Sequence, residues 1–143
     1  MKISILYKKN FTTAPGEKKK LRETIGILTR NVFTKEKISI SILNLIFCSD
    51  DFIREYNKEY LGHDYETDII TFYDIDSENR IEGELLISVD TVKTNSEKYK
   101  TSFNNELSRV MIHGMLHLCG YKDKTAAQKQ MIRKKENYFL NTL

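Results

Sequence analysis

Cysteines, prolines and long apolar runs are scarce in this sequence, and two of these scarcities exclude whole classes of protein. Its two cysteines are isolated, which argues against the disulfide framework of a small secreted protein and favours a reducing, cytoplasmic location. The first apolar stretch spans about five residues, too short for a signal peptide or a membrane span, so no membrane partner is expected. The single proline lies in a turn-like segment near the N-terminus.

The composition is that of an ordinary globular protein. Hydrophobic residues make up 40% of the 143 residues, which excludes a disordered chain. The formal net charge of +3 permits a nucleic-acid partner without requiring one. Basic residues concentrate at 17–22 and 129–136, inside helical patterns, where a solvent-exposed helix face is the ordinary interpretation. No repeat or linker is found, so we expect a single hydrolase domain over residues 1–143.

Strand and helix patterns are mixed in the first half of the chain, and only helix patterns follow residue 90. Four segments have the composition of strands: 1–7, 37–47, 67–73 and 81–89. Five have apolar residues at helical spacing: 21–32, 52–60, 90–100, 103–119 and the segment from Thr125. The alternation within 37–47 changes phase after Ile42, which predicts a strand buried on both faces or a β-bulge. The pattern predicts an α+β fold, with helices packed on a mixed sheet of about four strands.

The last helix has a recognisable start and a predicted apolar face. Thr125 and Gln128 have the spacing of a capping box. The predicted apolar stripe consists of Met131, Ile132, Tyr138 and Phe139.

The strongest chemical signal is HGMLHLCGYKD, residues 113–123, at the end of the predicted long helix. His113 and His117 are four residues apart, so both imidazoles lie on one helix face and can bind one ion. Gly120 can adopt the left-handed conformation that ends a helix, after which Asp123 can return toward both rings. Two histidines and one carboxylate leave a fourth position for water, which predicts one catalytic Zn²⁺ ion and a hydrolytic reaction.

Other interpretations of these residues remain open. Two histidines at this spacing also occur by chance on helices, but the chain has only three histidines and places two of them here. Cys119 follows His117 by two residues and points away from the histidine face, which favours a buried core thiol over a fourth ligand. The spacing also fits a metzincin-like metalloprotease, although Gly114 occupies the position of that family's general base.

The same residues resemble the signature of the YbeY-type endoribonucleases, the UPF0054 metalloproteins of bacteria, which reads H-G-x-L-H-L-x-G-Y-D-H. Upstream, TDIITF at 67–72 resembles the family's T-[DN]-V-L-S-F strand, and GELLIS at 83–88 resembles its G-D-I-x-I-S strand. The third histidine of the signature is replaced by Asp123 and the preceding aspartate by Lys122. An arginine common in the family aligns with Leu61.

The resemblance implies a zinc-dependent endoribonuclease directed at single-stranded RNA. Its substrate would be the rRNA of the small ribosomal subunit, in rRNA maturation and ribosome quality control. His113, His117 and Asp123 would then be catalytic as well as metal ligands. Glu84, a polar residue on a predicted core strand, is a candidate general base, although a solvent-facing position is equally compatible with the pattern. The non-enzymatic alternative is a ribosome-associated RNA-binding protein with a structural metal.

Four residues are candidates for contact with the RNA backbone. If the family's arginine binds phosphate, its replacement by Leu61 means that His63 or Lys58 takes over this contact or that the affinity is weaker. Lys122 and Arg133 are further candidates by charge. Candidate base-stacking residues are Tyr65, Phe72 and Tyr73, for which burial in the sheet is the ordinary alternative.

Overall fold

The computed structural model describes all residues from 1 to 143 and consists of a four-stranded mixed sheet and five helices. The elements in chain order are β1 (Lys2–Tyr7), α1 (Glu17–Lys35), β2 (Ile40–Cys48), α2 (Asp50–Leu61), β3 (Ile69–Ile75), β4 (Ile81–Ser88), α3 (Val89–Lys98), α4 (Phe103–Leu118) and α5 (Ala126–Leu140). The predicted α+β fold is confirmed. None of the helices has the length and apolar character needed to cross a membrane.

The sheet has the strand order β1-β2-β4-β3. The first three of these strands are parallel, and β3 lies antiparallel to β4 at the edge. The register of β2 against β4 shifts between Ile40 and Ile42. The hydroxyl of Ser41, at the irregular position, donates a hydrogen bond to the carbonyl of Ile81 at 3.3 Å. The phase change in the sequence therefore lies next to an irregularity in the pairing of β2, as the bulge interpretation predicts.

Helices cover both faces of the sheet, and they divide the side chains of β4 between two apolar clusters. Leu85 belongs to the main core, with apolar residues of α1 and α4. Leu86 belongs to a smaller cluster with Ile53 of α2. Because side chains alternate along a strand, Glu84 shares the face of Leu86 and points to the α2 side.

Close contact between α4 and the sheet depends on Gly114. A Cβ atom at this position would lie 2.5 Å from Cδ1 of Ile69 and 2.9 Å from Cδ2 of Leu85. The glycine thus lets the histidine-bearing helix lie directly on β3 and β4. A glutamate at this position would have its side chain directed into the core, so the position cannot carry the general base of a metalloprotease without rearrangement of the core.

Replacement of Gly114 by alanine is expected to destabilise the protein by roughly 1 to 3 kcal/mol, because the added methyl group overpacks the core. Gly26 in α1 is the matched control, since a Cβ there meets nothing within 4 Å. Gly26→Ala is expected to stabilise the protein by about 0.5 to 1 kcal/mol through helix propensity. Denaturant unfolding of both variants measures the difference. Equal stabilisation by both substitutions would show that α4 is not packed as tightly as the contacts of Gly114 indicate.

Helix α5 begins as predicted but buries a different face. Thr125 and Gln128 form a complete capping box. Met131 and Tyr138 are 47% and 50% exposed, so the prediction that they belong to the apolar stripe was wrong. The buried residues of α5 are Ile132, Glu136 and Phe139. Their spacing of four and three residues places a glutamate on the buried face between two apolar side chains.

Candidate metal centre

The end of α4 brings the three predicted ligands together. Gly120 has φ +99°, and the backbone N–H groups of Gly120 and Tyr121 donate to the carbonyls of His117 and Leu116 at 3.0 and 3.1 Å. This pattern is a Schellman motif, which ends the helix and reverses the chain direction. The hydroxyl of Tyr121 donates to Glu36 at 2.7 Å, which ties the turn to the end of α1. The turn thereby directs Asp123 back to the histidine face of α4.

The separations of the three candidate ligand atoms are close to those around a tetrahedral metal ion. The two histidine Nε2 atoms are 3.0 Å apart, and Oδ2 of Asp123 lies 3.2 Å from that of His113 and 3.3 Å from that of His117. Bonds of 2.0 to 2.1 Å in a tetrahedron place neighbouring ligands about 3.3 to 3.4 Å apart. The three residues can therefore hold one metal ion, and they form the one group of this kind in the chain.

The hydrogen bonds of the two Nδ1 atoms orient the histidine rings so that their Nε2 atoms face the candidate metal site. Nδ1 of His117 donates to the carbonyl of Tyr121 at 2.8 Å, and because a carbonyl only accepts, this nitrogen carries the proton. Nδ1 of His113 pairs with Oε2 of Glu136 at 2.7 Å. Each neutral ring therefore presents an unprotonated Nε2. The two Nε2 atoms and Oδ2 of Asp123 converge on one point, and a cation there would be bound by all three.

Glu136 is the residue that orients His113, and Arg109 holds Glu136 in place. Glu136 is 4% exposed, and its Oε1 accepts a hydrogen bond from Arg109 at 3.0 Å. Burial opposes the charge on Glu136, yet its hydrogen bonds to His113 and Arg109 hold its pKa below the usual value. Burial also opposes a charge on His113, but Glu136, together with the charges of Asp68 and Asp123, outweighs it and raises the pKa of His113. The carboxylate thus increases the basicity of a metal-binding ring.

A cleft of about 310 Å³ opens beside this group. Its lining residues come from α3, α4, α5 and the start of β3, and include His113 and Asp123. Those that sequence reasoning missed are Asp68, Asn95, Tyr99, Glu106, Arg109, Lys129 and Glu136. Glu106 is 5% exposed without a side-chain partner, and burial raises the pKa of its carboxyl. A charged residue among apolar ones on a helix face, as at Glu106 and Glu136, was the sequence signal for this cleft.

The structure separates Glu84 from the metal group. Glu84 pairs with Asn44 and Phe72 across the sheet and lies on the face covered by α2, whereas His113 and His117 belong to α4 on the opposite face. The proposal that Glu84 is the general base is therefore not supported by its position. The sequence could not decide this, because alternation along a strand does not state which face a helix covers.

Cys119 lies next to the metal turn but is not one of the ligand group. Its side chain packs against the main core. Burial raises the pKa of its thiol to about 12, which disfavours the thiolate that binds metals.

The four predicted RNA contacts are scattered, and the structure brings only one of them into the cleft. Arg133 lines the cleft, with its guanidinium 3.8 Å from Glu136. Lys122 is exposed in the turn before Asp123 but does not line the cleft. Lys58 lies in the last turn of α2 and His63 in the following loop, both outside the cleft.

The aromatic candidates also lie elsewhere. Phe72 packs against Tyr56 with ring centroids 5.6 Å apart, as the burial alternative anticipated. Tyr65 is 53% exposed beside His63, and Tyr73 is 64% exposed on the edge strand. None of the three lines the cleft.

Comparison with known proteins gives one consistent result. The family model described as endoribonuclease YbeY matches residues 7–143. Relatives named endoribonuclease YbeY include one from Cytophaga hutchinsonii, 46% identical over 85% of this chain and 86% of its own length, and one from Bacteroides fragilis, 45% identical over 94% of each chain. The solution structure of TM1509 from Thermotoga maritima is similar, with a TM-score of 0.67, 27% identity, and coverage of 98% of this chain and 87% of that one.

Proposed function

The chain belongs to the endoribonuclease YbeY family, and from this premise we propose that it is a metal-dependent endoribonuclease that cleaves single-stranded RNA. The observation that carries the proposal is the convergence of three candidate ligand atoms, 3.0 to 3.3 Å apart, at the edge of an open cleft. We propose Zn²⁺ as the ion, held by His113, His117 and Asp123. When bound, it supplies a positive charge that polarises a phosphodiester or lowers the pKa of a water molecule.

The residues of the chain supply binding and orientation. The guanidinium of Arg133 and the ammonium of Lys129 line the cleft from α5 and can contact phosphate oxygens on either side of the scissile bond. Glu136 and the carbonyl of Tyr121 hold the two histidine rings in one orientation. Such contacts keep the reacting groups in place without reorganisation during the reaction.

The distribution of charge along the chain supports an RNA substrate on the cleft side. Residues 50–84 contain 12 of the 20 acidic residues but only 3 of the 23 basic ones, so the rest of the chain is strongly basic. Among the helices that line the cleft, the excess of basic residues lies in α5, which carries Lys129, Arg133, Lys134 and Lys135 against one acidic residue, Glu136. A polyanion is therefore attracted to α5 and repelled by α2 and β3. The electrostatic field thus favours RNA binding by Arg133 over binding by Lys58.

The finer assignment follows the same premise. We propose that the substrate is rRNA of the small ribosomal subunit, that the enzyme acts in its maturation and in ribosome quality control, and that it does so in the cytoplasm. The metalloprotease alternative has no comparable support, because position 114 is a glycine packed against Ile69 and Leu85.

Incubation of the purified protein with a fluorescently labelled single-stranded RNA tests the proposal. We expect cleavage that a chelator stops and that added Zn²⁺ restores, with little cleavage of a duplex of the same sequence. Casein incubated in parallel is expected to stay intact. Chelator-sensitive cleavage of casein together with intact RNA would overturn the proposal in favour of a protease.

A further inference from the structure

Tyr99 occupies a fixed position at the rim of the cleft. It is the C-cap of α3, where its backbone N–H donates to the carbonyl of Asn95 at 2.9 Å. Its side chain is 57% exposed and lines the same cleft as His113 and Asp123. A large apolar ring is therefore presented to solvent beside the candidate metal centre, on an ordered helix end.

The ring of Tyr99 has no aromatic partner in the protein. Two other exposed tyrosines pack against a neighbouring ring, Tyr60 against Tyr56 at 4.4 Å and Tyr138 against Phe139 at 5.0 Å between centroids, whereas Tyr73 on the edge strand has no ring partner and lies outside the cleft. The one cation over the ring of Tyr99 is the ammonium of Lys98, 5.6 Å from the ring centroid. The hydroxyl makes no hydrogen bond to the protein, so neither ring stacking nor a buried polar contact accounts for its position.

The neighbours of Tyr99 complete a site for a nucleotide. Asn95 lies one turn earlier on α3 and lines the cleft, and its side-chain amide makes no hydrogen bond within the protein. An amide offers both a donor and an acceptor, as the edge of a nucleobase requires. Lys129 and Arg133 line the same cleft from α5 and carry the charge that a phosphate requires.

We propose that Tyr99 is the stacking platform for one nucleobase of the RNA, with Asn95 placed to hydrogen-bond to the edge of that base. The proposal rests on the proposed endoribonuclease function, and it explains why the enzyme would prefer single-stranded RNA to a duplex. In a duplex the faces of the bases are covered by their neighbours, whereas a single strand can turn a base out onto an aromatic ring. Tyr99 therefore selects single-stranded RNA at the site of cleavage.

Substitutions of Tyr99 test the proposal in the full-length His117→Ala chain, which is expected to bind RNA without cleaving it. The probe is a short fluorescent single-stranded RNA, and anisotropy gives its Kd. Loss of one stacked base is expected to raise the Kd about 5- to 100-fold in Tyr99→Ala and in Tyr99→Leu. Tyr99→Phe keeps the ring, so its Kd is expected to stay within about twofold of that of the His117→Ala chain. Tyr73→Ala, which removes an equally exposed ring outside the cleft, is expected to change nothing.

A 2-aminopurine base in the RNA reports stacking directly. Its fluorescence is expected to be quenched by the parent chain and by Tyr99→Phe but not by Tyr99→Leu. In the metal-loaded enzyme without the His117 substitution, Tyr99→Ala is expected to raise KM for single-stranded RNA and to reduce the preference over duplex. Unchanged binding in Tyr99→Ala, or equal losses in Tyr99→Phe and Tyr99→Ala, would overturn the stacking role. Failure of the parent enzyme to bind or cleave any RNA would overturn the proposed function itself.

Discussion

Replacement of His117 by alanine is expected to abolish metal binding and RNA cleavage while the protein remains folded. The ring supplies one of three ligand atoms, and its other nitrogen makes a single hydrogen bond to the carbonyl of Tyr121. Because the side chain is partly exposed, its loss leaves no large cavity in the core. A metal ion contributes several kcal/mol to hydrolysis, so we expect cleavage to fall roughly 1,000-fold or more. Elemental analysis and a single-stranded RNA cleavage assay measure the two effects.

His63→Ala is the matched control for this variant. His63 lies in an exposed loop outside the metal group, so its removal is expected to leave the metal content and the metal-dependent step unchanged. The comparison also separates the enzyme from an RNA-binding protein with a structural metal. Cleavage that persists in folded His117→Ala would favour the structural role, whereas retained RNA binding with lost cleavage is the outcome that we expect.

The candidate metal ligands were predictable as a group because they are close in the sequence. The helical period places His113 and His117 on one face, and the need for a positive φ at Gly120 predicts the turn that returns Asp123. Local geometry thus determines the whole group. The strand and helix patterns determined the fold class for the same reason, including the bulge near Ile42.

The rest of the site depends on how distant elements pack. Glu136 reaches His113 from α5, and Tyr99 enters the cleft from α3, and no local pattern states which helix faces meet. The same limit explains why Glu84 remained a candidate for the site. Its strand pattern was correct, but the choice of sheet face depends on the position of α4.

Replacement of Glu136 by glutamine is expected to weaken metal binding by roughly 10- to 100-fold without unfolding the protein. Glutamine keeps the size of the side chain and can still accept a hydrogen bond from His113, but it removes the negative charge that raises the basicity of the ring. Its amide oxygen can instead continue the contact with Arg109, which prevents a fully unpaired guanidinium. Competition with a chromophoric zinc chelator gives the Kd of each protein.

The pH dependence of metal binding distinguishes this electrostatic role from a general loss of structure. Glu136 raises the pKa of His113, so in the parent protein a proton competes with the metal for this ring from a higher pH. In Glu136→Gln the pKa of His113 falls, so protons compete with the metal only at lower pH. We therefore expect the decline of metal affinity to begin at a lower pH than in the parent protein, although the affinity at high pH is weaker. Glu36→Gln is the control, because Glu36 accepts hydrogen bonds from Tyr121 and Lys135 but contacts no ligand ring. An unshifted pH profile in Glu136→Gln, or the same shift in Glu36→Gln, would show that Glu136 does not act through His113.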